Sequence, residues 1–423
     1  MSIDAQEGGG RTRFGGWRSV TTRLTSLADQ VLYSSVSLLQ VAIYARLFDK
    51  EEFGVFSLAV GISLVLVGIQ RSAIIIPAIV LFPTPEAFTG SGRWARVHLM
   101  VVAAVTLTLL LLGAAADALG REPLGRLGML AAVLTAGALL FDYQRRSLYQ
   151  LCKGRSALLV SAVYLASSAI GFVAVALWAT NAIGAVIAAS AAATLAAFLA
   201  RTLRGPLAIG EPARRSARDV RGTVVWNALS FLPYMAYNHG MVLFVGVIAG
   251  PVTAGIFAAT RVFVAPVQLL TAAIDNTDKP RTSRALASSG AAAFKASLGN
   301  TSATLLVLGL PYLLAVAIEP EFFGMLLLGP TYAPDMWIAR IWAVVGVLLL
   351  LGQPLESGLV ILGRSDWLFA CRCLAAMASL GGTAMLMTTY GASGAVAALA
   401  IAWLASTVQA AIVLARHTRE LNE

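Results

Sequence analysis

Residues 97–116, 158–179, 182–200 and 298–318 each run without one charged side chain. About 20 apolar residues is the length a helix needs to cross a bilayer. In that solvent the backbone must satisfy its own polar groups, so only helices and closed barrels can span it. A barrel strand alternates apolar and polar positions over about ten residues, a pattern these runs exclude. The chain reads as an all-α polytopic membrane protein. Composition agrees, with 58% of 423 residues hydrophobic and 12% charged, against roughly 25% charged in a soluble domain.

Twelve spans fit the chain, near residues 24–47, 54–82, 97–118, 124–144, 157–179, 182–201, 223–249, 254–275, 296–318, 337–361, 367–389 and 394–415. Of the 31 Lys and Arg, 24 then fall in the tails and in every second connection: 83–96, 142–156, 201–222, 276–295 and 363–372. The intervening loops hold only Lys50, Arg121 and Arg126. The positive-inside rule makes the basic set cytoplasmic, so both termini face the cytoplasm and the number of spans is even. The net charge of +10 is thus a matter of topology. It gathers in no soluble patch with aromatic partners, and nucleic acid is not an expected ligand.

The Arg-rich segment 202–222, with Pro206 and Pro212, reads as a cytoplasmic linker between two halves. It divides the chain into a basic tail (1–23), a first six-helix bundle (24–201), a second six-helix bundle (223–415) and a short tail (416–423). The tail 1–23 carries no apolar core before a cleavage site, so span one is expected to be uncleaved. Gly54-Val55-Phe56 and Gly255-Ile256-Phe257 stand 201 residues apart, and Tyr33 and Tyr234 keep that offset. Such an offset predicts a duplication. Two halves of six spans each enter the membrane in the same direction, related by a pseudo-two-fold axis along the membrane normal. Between spans nine and ten, the apolar run 322–329 is too short to cross and is expected to lie at the outer interface.

Chemistry, if any, lies within or at the membrane. The chain carries no GxSxG, HExxH or GxxxxGK[ST] pattern, so no enzyme class is indicated. Cys152, Cys371 and Cys373 match no zinc spacing, and neither a metal nor a cofactor is expected. His98 and His417 fall at cytoplasmic span ends, where a solvated role is expected. Four arginines, Arg46, Arg71, Arg261 and Arg340, fall inside or at the ends of spans. A charge at mid-bilayer costs at least about 2.5–3.5 kcal/mol, and such residues need water, a partner or a function.

Arg71, beside Gln70, lies roughly 25 Å down span two from Gly54 at 1.5 Å per residue. Asp29 enters span one from the same side, within reach of Arg71 as an ion pair. Arg261 stands about two turns into span eight, and Arg340 near an end from which its stem can snorkel. Tyr234, Asn238 and His239 make a polar stripe on span seven, as cavity lining or as interhelical hydrogen bonding. Glu356 is a capping or pairing group, or with Asp29 a candidate for ion coupling. Pro77, Pro233, Pro266, Pro311 and Pro354 are candidate kinks.

The run from Ala45 to Ala59, followed by Gln70-Arg71 and Pro77, resembles the first two spans of the polysaccharide-repeat-unit flippases. These belong to the multidrug/oligosaccharidyl-lipid/polysaccharide exporter superfamily. The segments from Ala254 to Arg261 and from Leu327 to Ala333 agree. The resemblance implies two six-helix bundles around a central cavity, in a bacterial inner membrane. It implies translocation of a polyprenyl-pyrophosphate-linked oligosaccharide from inner to outer leaflet, among membrane lipids and alongside other glycan assembly proteins. Guanidinium groups suit a pyrophosphate, because the planar fork offers paired donors and keeps its charge in apolar surroundings. Arg71 and Arg261 are the leading substrate-binding candidates, with Gln70, Tyr234, Asn238 and His239 beside them. The chain lacks the fourteen spans of the peptidoglycan-precursor flippases. Two other classes stay open: a cation-coupled multidrug exporter, expected to show an acidic cavity, and a membrane polymerase or ligase, expected to show a large external loop.

Overall fold

A computed structural model of the chain describes residues 12–75, 78, 82, 85–210, 229 and 231–420. The first half contains six long helices: α1 (Thr12–Leu47), α2 (Lys50–Gln70), α3 (Gly92–Ala118), α4 (Glu122–Gln150), α5 (Gly154–Trp178) and α6 (Ala182–Arg204). Local signals set several ends. Asp49 caps α2 by accepting a hydrogen bond from the Glu52 N–H at 2.8 Å, and Asn181 caps α6 in the same way through Gly184 at 2.9 Å. A π-helical turn, Arg71–Ile75, follows α2.

In the second half the helix interrupted at Gly250 and those interrupted at Gly290 and Gly391 are really pairs. Each glycine has positive φ and non-helical geometry, a conformation open to it for want of a Cβ. The chain folds back there. Arg261 bonds Asn238 across Gly250, and Thr282 and Ser297 share a hydrogen bond of 2.7 Å across Gly290. A Cβ on Gly382 would stand 3.0 Å from that of Ala398 across Gly391. The helices are therefore α7 (231–249, broken at His239), α8 (251–289), α9 (291–318), α10 (Ala339–Ile361), α11 (365–390) and α12 (392–420). A short helix, Pro320–Leu327, and a 3-10 segment, Pro330–Ile338, lie between α9 and α10, where an interfacial segment is expected.

Among the described residues these long helices, nine segments of which are long and apolar enough to cross a membrane, run back and forth between two faces. One face carries the basic connections, and is called the basic face below. Several segments expected as loops there are helical instead: α4 continues to Gln150, α8 to residue 289, and α3 begins at Gly92, taking Arg93 and Arg96 into its first two turns. Helix α1 begins at Thr12, within the segment expected as a tail. Residues 211–222 of the expected linker, the expected start of span seven at 223–228 and Pro77 lie outside the described residues.

Two-fold packing joins the halves. Helix α2 runs antiparallel to α7, with Gly54 at Pro251, Gly61 at Val242 and Leu243, Leu58 at Gly246, and Gly68 at Phe231 and Met235. A Cβ on Gly54 would fall 1.8 Å from the Pro251 carbonyl oxygen, and one on Gly255 would fall 2.7 Å from the Lys50 carbonyl oxygen. Lys50 and Pro251 keep the same 201-residue offset as the glycines, so the contact is reciprocal, as a two-fold relation demands.

Further contacts between the halves lie on the same face, opposite the basic one. Lys50 Nζ is 2.7 Å from Asp335 Oδ2 and stands over the Tyr332 ring at 5.6 Å. Phe53 meets Tyr332 edge to face at 6.1 Å. Arg46 donates to the carbonyls of Met325, at 2.7 Å, and Leu326, covering the orphan carbonyls at the end of the short helix.

The apolar core has the same asymmetry. One large cluster draws on both halves and includes Tyr44, Phe53, Phe257 and Trp342. The smaller clusters toward the basic face each draw on a single half, such as Phe141 with Leu148 in the first and Phe294 with Leu359 in the second. The shared core lies on one side of the membrane; toward the other the buried clusters draw on single halves, and the halves still touch where Gly68 meets Phe231 and Met235.

Candidate functional site

The arginines within the spans differ in what neutralises them. Arg71, at the π turn that ends α2, donates to both oxygens of Asp142 on α4, with Nη2–Oδ1 at 2.6 Å and Nε–Oδ2 at 3.0 Å. This paired fork is the strong form of a charge-assisted contact. Asp142 is buried and also accepts from Arg146 one turn along, at 3.1 and 3.2 Å. Two guanidinium groups share one carboxylate, leaving a net positive charge.

Asp29 does not meet Arg71. It is fully buried and pairs with Arg145 of α4, while the Tyr149 hydroxyl donates to it and Ser161 accepts from Arg145 Nε at 3.2 Å. The expected pair fails because α4 stays helical past residue 144. Asp142, Arg145 and Arg146 then point into the bundle at positions i, i+3 and i+4, where α1 and α2 bring Asp29 and Arg71 to them. The sequence signal was the acid-to-base spacing inside Asp142-Tyr143-Gln144-Arg145-Arg146, which the positive count of segment 142–156 outweighed.

Arg261 is placed by the α7–α8 hairpin. Eleven residues beyond Gly250, it lies roughly 16 Å from the turn, deeper than two turns and opposite Asn238. Its two Nη groups donate to the Asn238 backbone carbonyl and to Asn238 Oδ1. Among the described residues no carboxylate stands within ion-pair distance of it. Among them its charge is met by the Asn238 dipoles.

His239 stands at the break in α7, next to the Asn238 that Arg261 bonds, so the polar stripe on α7 and Arg261 meet. Tyr234 lies beneath Arg372 of α11, with the guanidinium 5.0 Å from the ring centroid. Arg372 is paired with Glu356 at 2.9 Å, which gives Glu356 the pairing role open to it. Gln70 is turned away: its Nε2 donates to the Leu139 carbonyl at 3.0 Å inside the α2–α4 interface. His98 is fully buried at that same carbonyl, 3.3 Å away, and stacks on Tyr143 with centroids 4.0 Å apart. The solvated role expected of it is therefore excluded. Arg340 is exposed and donates to the Ala317 carbonyl at 3.2 Å.

The arginines are not symmetry mates, since Arg71 follows its glycine by seventeen positions and Arg261 by six. The tyrosines are. Tyr33 lies beneath Arg145 at 4.3 Å, as Tyr234 lies beneath Arg372, and each of these arginines is held by a carboxylate.

No protein-family model matches the chain, and no curated protein matches it in sequence. Solved structures do match it in shape. An inward-facing multidrug resistance MATE family transporter of the MOP superfamily superposes with a TM-score of 0.65 at 15% identity, over 95% of each chain. The chain has the MOP-superfamily fold. The lipid II flippase MurJ, in an inward closed conformation, shares that fold with a TM-score of 0.66 at 13% identity, over 93% of this chain and 87% of its own. A MOP-superfamily transporter from Pyrococcus furiosus, described as having a binding pocket of reverse polarity that suggests a different function, matches with a TM-score of 0.55 at 15% identity, over 96% and 94%.

Proposed function

We propose that this chain is an alternating-access transporter that moves a polyprenyl-pyrophosphate-linked oligosaccharide between leaflets, for cell-surface polysaccharide biosynthesis. In this reading the basic face is cytoplasmic, both termini lie on it, and the membrane is the bacterial inner membrane. Arg261 carries the argument. A guanidinium at mid-membrane that no carboxylate among the described residues neutralises is a standing demand for an anion. The second arginine toward the cavity, Arg71, shares its only carboxylate with Arg146, so the interior stays positive when the pairs are complete.

The head group enters between the halves where their cores are separate, while the lipid tail remains in the bilayer. Its pyrophosphate meets Arg261 and Arg71 as paired acceptors for planar forks. Occupancy offsets the interior charge and favours closure of the basic side. The Lys50–Asp335 and Arg46 contacts then part on the other side, where the halves now touch. No bond is made or broken.

A cation-coupled multidrug exporter is the rival suggested by the MATE structures. The interior carboxylates weigh against it, because Asp29, Asp142 and Glu356 are each already paired with an arginine. Among the described residues a cationic drug would find none of these acids free. Pocket polarity is also the property on which the Pyrococcus furiosus protein is set apart.

A leaflet-accessibility assay in reconstituted vesicles separates the readings. With a fluorescent polyprenyl-pyrophosphate-linked sugar in one arm and a lipophilic cationic dye in the other, the first should change leaflets and the second should not. Movement of the dye alone would overturn the proposal.

A further inference from the structure

Asn238 and Arg261 meet because of where the chain turns. Asn238 stands twelve positions before Gly250 and Arg261 eleven after it, so equal rises along the antiparallel α7 and α8 bring them level. Asn238 is also the last residue before the break in α7. A helix end leaves its final carbonyls without intrahelical partners. Here that carbonyl accepts from Arg261 Nη1, while Oδ1 of the same residue accepts from Nη2.

The arginine is mounted on backbone that is fixed from behind. Helix α8 tightens to a 3-10 turn over Arg261–Val264, and neighbouring helices tie this stretch at Thr260 and at Phe263. The Trp342 indole Nε1 of α10 donates to Thr260 Oγ1 at 3.0 Å, and the Tyr312 hydroxyl of α9 donates to the Phe263 carbonyl at 3.0 Å. Thr260, Phe263 and Trp342 are buried. With the backbone anchored in this way, the direction of the guanidinium is left to Asn238.

Asn238 holds the fork as an aspartate would, but it returns no charge. Arg71 makes the contrast: it spends the Nε–Nη2 edge of its fork on the two oxygens of Asp142 and is neutralised there. Arg261 spends one hydrogen of each Nη on Asn238, at the end of the fork. Three of its five N–H groups remain, and no further acceptor for them stands among the described residues. The edge left open is the one with which Arg71 grips two oxygens at once.

We infer that Asn238 is the positioning residue that sets the sign of this site: it aims Arg261 while leaving its charge, and its two-donor edge, for an oxyanion of the cargo. The inference rests on the transport reading above and adds which residue decides that the cargo is an anion. A carboxylate at position 238 would keep the geometry and close the site.

The test uses Asn238→Asp, which turns the amide into a carboxylate of the same shape, and Asn238→Ala, which keeps the backbone acceptor and leaves the arginine charged. Melting of the purified full-length protein in detergent needs no cargo. Asn238→Asp should melt a few degrees above wild type, because a lone guanidinium inside the membrane gains its counter-charge. Asn238→Ala should melt below wild type, because a hydrogen bond is lost. Translocation of the fluorescent polyprenyl-pyrophosphate-linked sugar in vesicles should rank the two variants the other way. Asn238→Ala should keep part of the wild-type rate, and Asn238→Asp should fall at least about tenfold below it, as loss of a charged contact implies.

A merely structural asparagine would give one ranking in both measurements. If Asn238→Asp melts no higher than wild type, or moves the sugar as fast as Asn238→Ala, the inference is overturned. If wild type moves no lipid-linked sugar, the transport reading fails, and the melting order alone decides whether Asn238 holds an uncompensated arginine.

Discussion

Gly54 and Gly255 occupy the same position in the two halves, and each is pressed against the backbone of the other half: Gly54 on Pro251 and Gly255 on Lys50. A contact in which each partner does to the other what is done to it is the mark of a two-fold relation. It lies on the side where the halves share a core, and so marks the point about which they are joined.

Gly54→Ala should therefore destabilise the protein, since its Cβ would overlap a carbonyl oxygen that belongs to backbone and cannot swing aside. Overpacking of this kind costs about 1–3 kcal/mol, read as a lowered Tm in detergent. Gly255→Ala should act in the same direction. Gly299→Ala, a helical site with open space around it, is the control and should leave Tm unchanged or slightly raised.

The Asp29–Arg145 pair is fully enclosed, and its role can be separated from ion coupling. Asp29→Asn leaves Arg145 buried without its counter-charge, a change that costs about 3–5 kcal/mol. An apolar pair, Asp29→Leu with Arg145→Met, should recover much of the lost Tm and should still transport. If the double variant is stable but inert, Asp29 has the coupling role that its position in span one first suggests.

Alternation requires the contacts opposite the basic face to part. With Lys50→Cys and Asp335→Cys in a background lacking the native cysteines, a short bifunctional thiol reagent should stop transport. A cleavable reagent should allow recovery on reduction. Cys152 is exposed and must be removed first. Full transport by the cross-linked protein would mean that this contact does not open.

Much of this architecture was legible in the sequence, and the reason is physical. The bilayer demands charge-free runs of fixed length, so the all-α membrane-spanning architecture emerges from counting them. The offset between Gly54 and Gly255 was also visible, because close backbone approach tolerates no side chain. The network around α4 was not. Asp142, Arg145 and Arg146 have the composition of a cytoplasmic loop, and only the tertiary fold shows that Arg71 and Asp29 cross to meet them. Nor could the sequence show that Arg261 has no acid partner among the described residues, since that depends on which side chains the α7–α8 hairpin brings within reach.

Arg261 gives the most direct test. Leaflet translocation of a fluorescent polyprenyl-pyrophosphate-linked sugar should be measured in vesicles holding wild type, Arg261→Lys and Arg261→Gln, each matched for Tm and reconstituted amount. The expected result is loss of at least about tenfold for Arg261→Gln, as removal of a charged contact of about 1.5–3 kcal/mol implies, with Arg261→Lys in between because it keeps the charge and loses the fork. Translocation by Arg261→Gln at the wild-type rate would contradict the assignment of the mid-membrane arginine to the substrate anion.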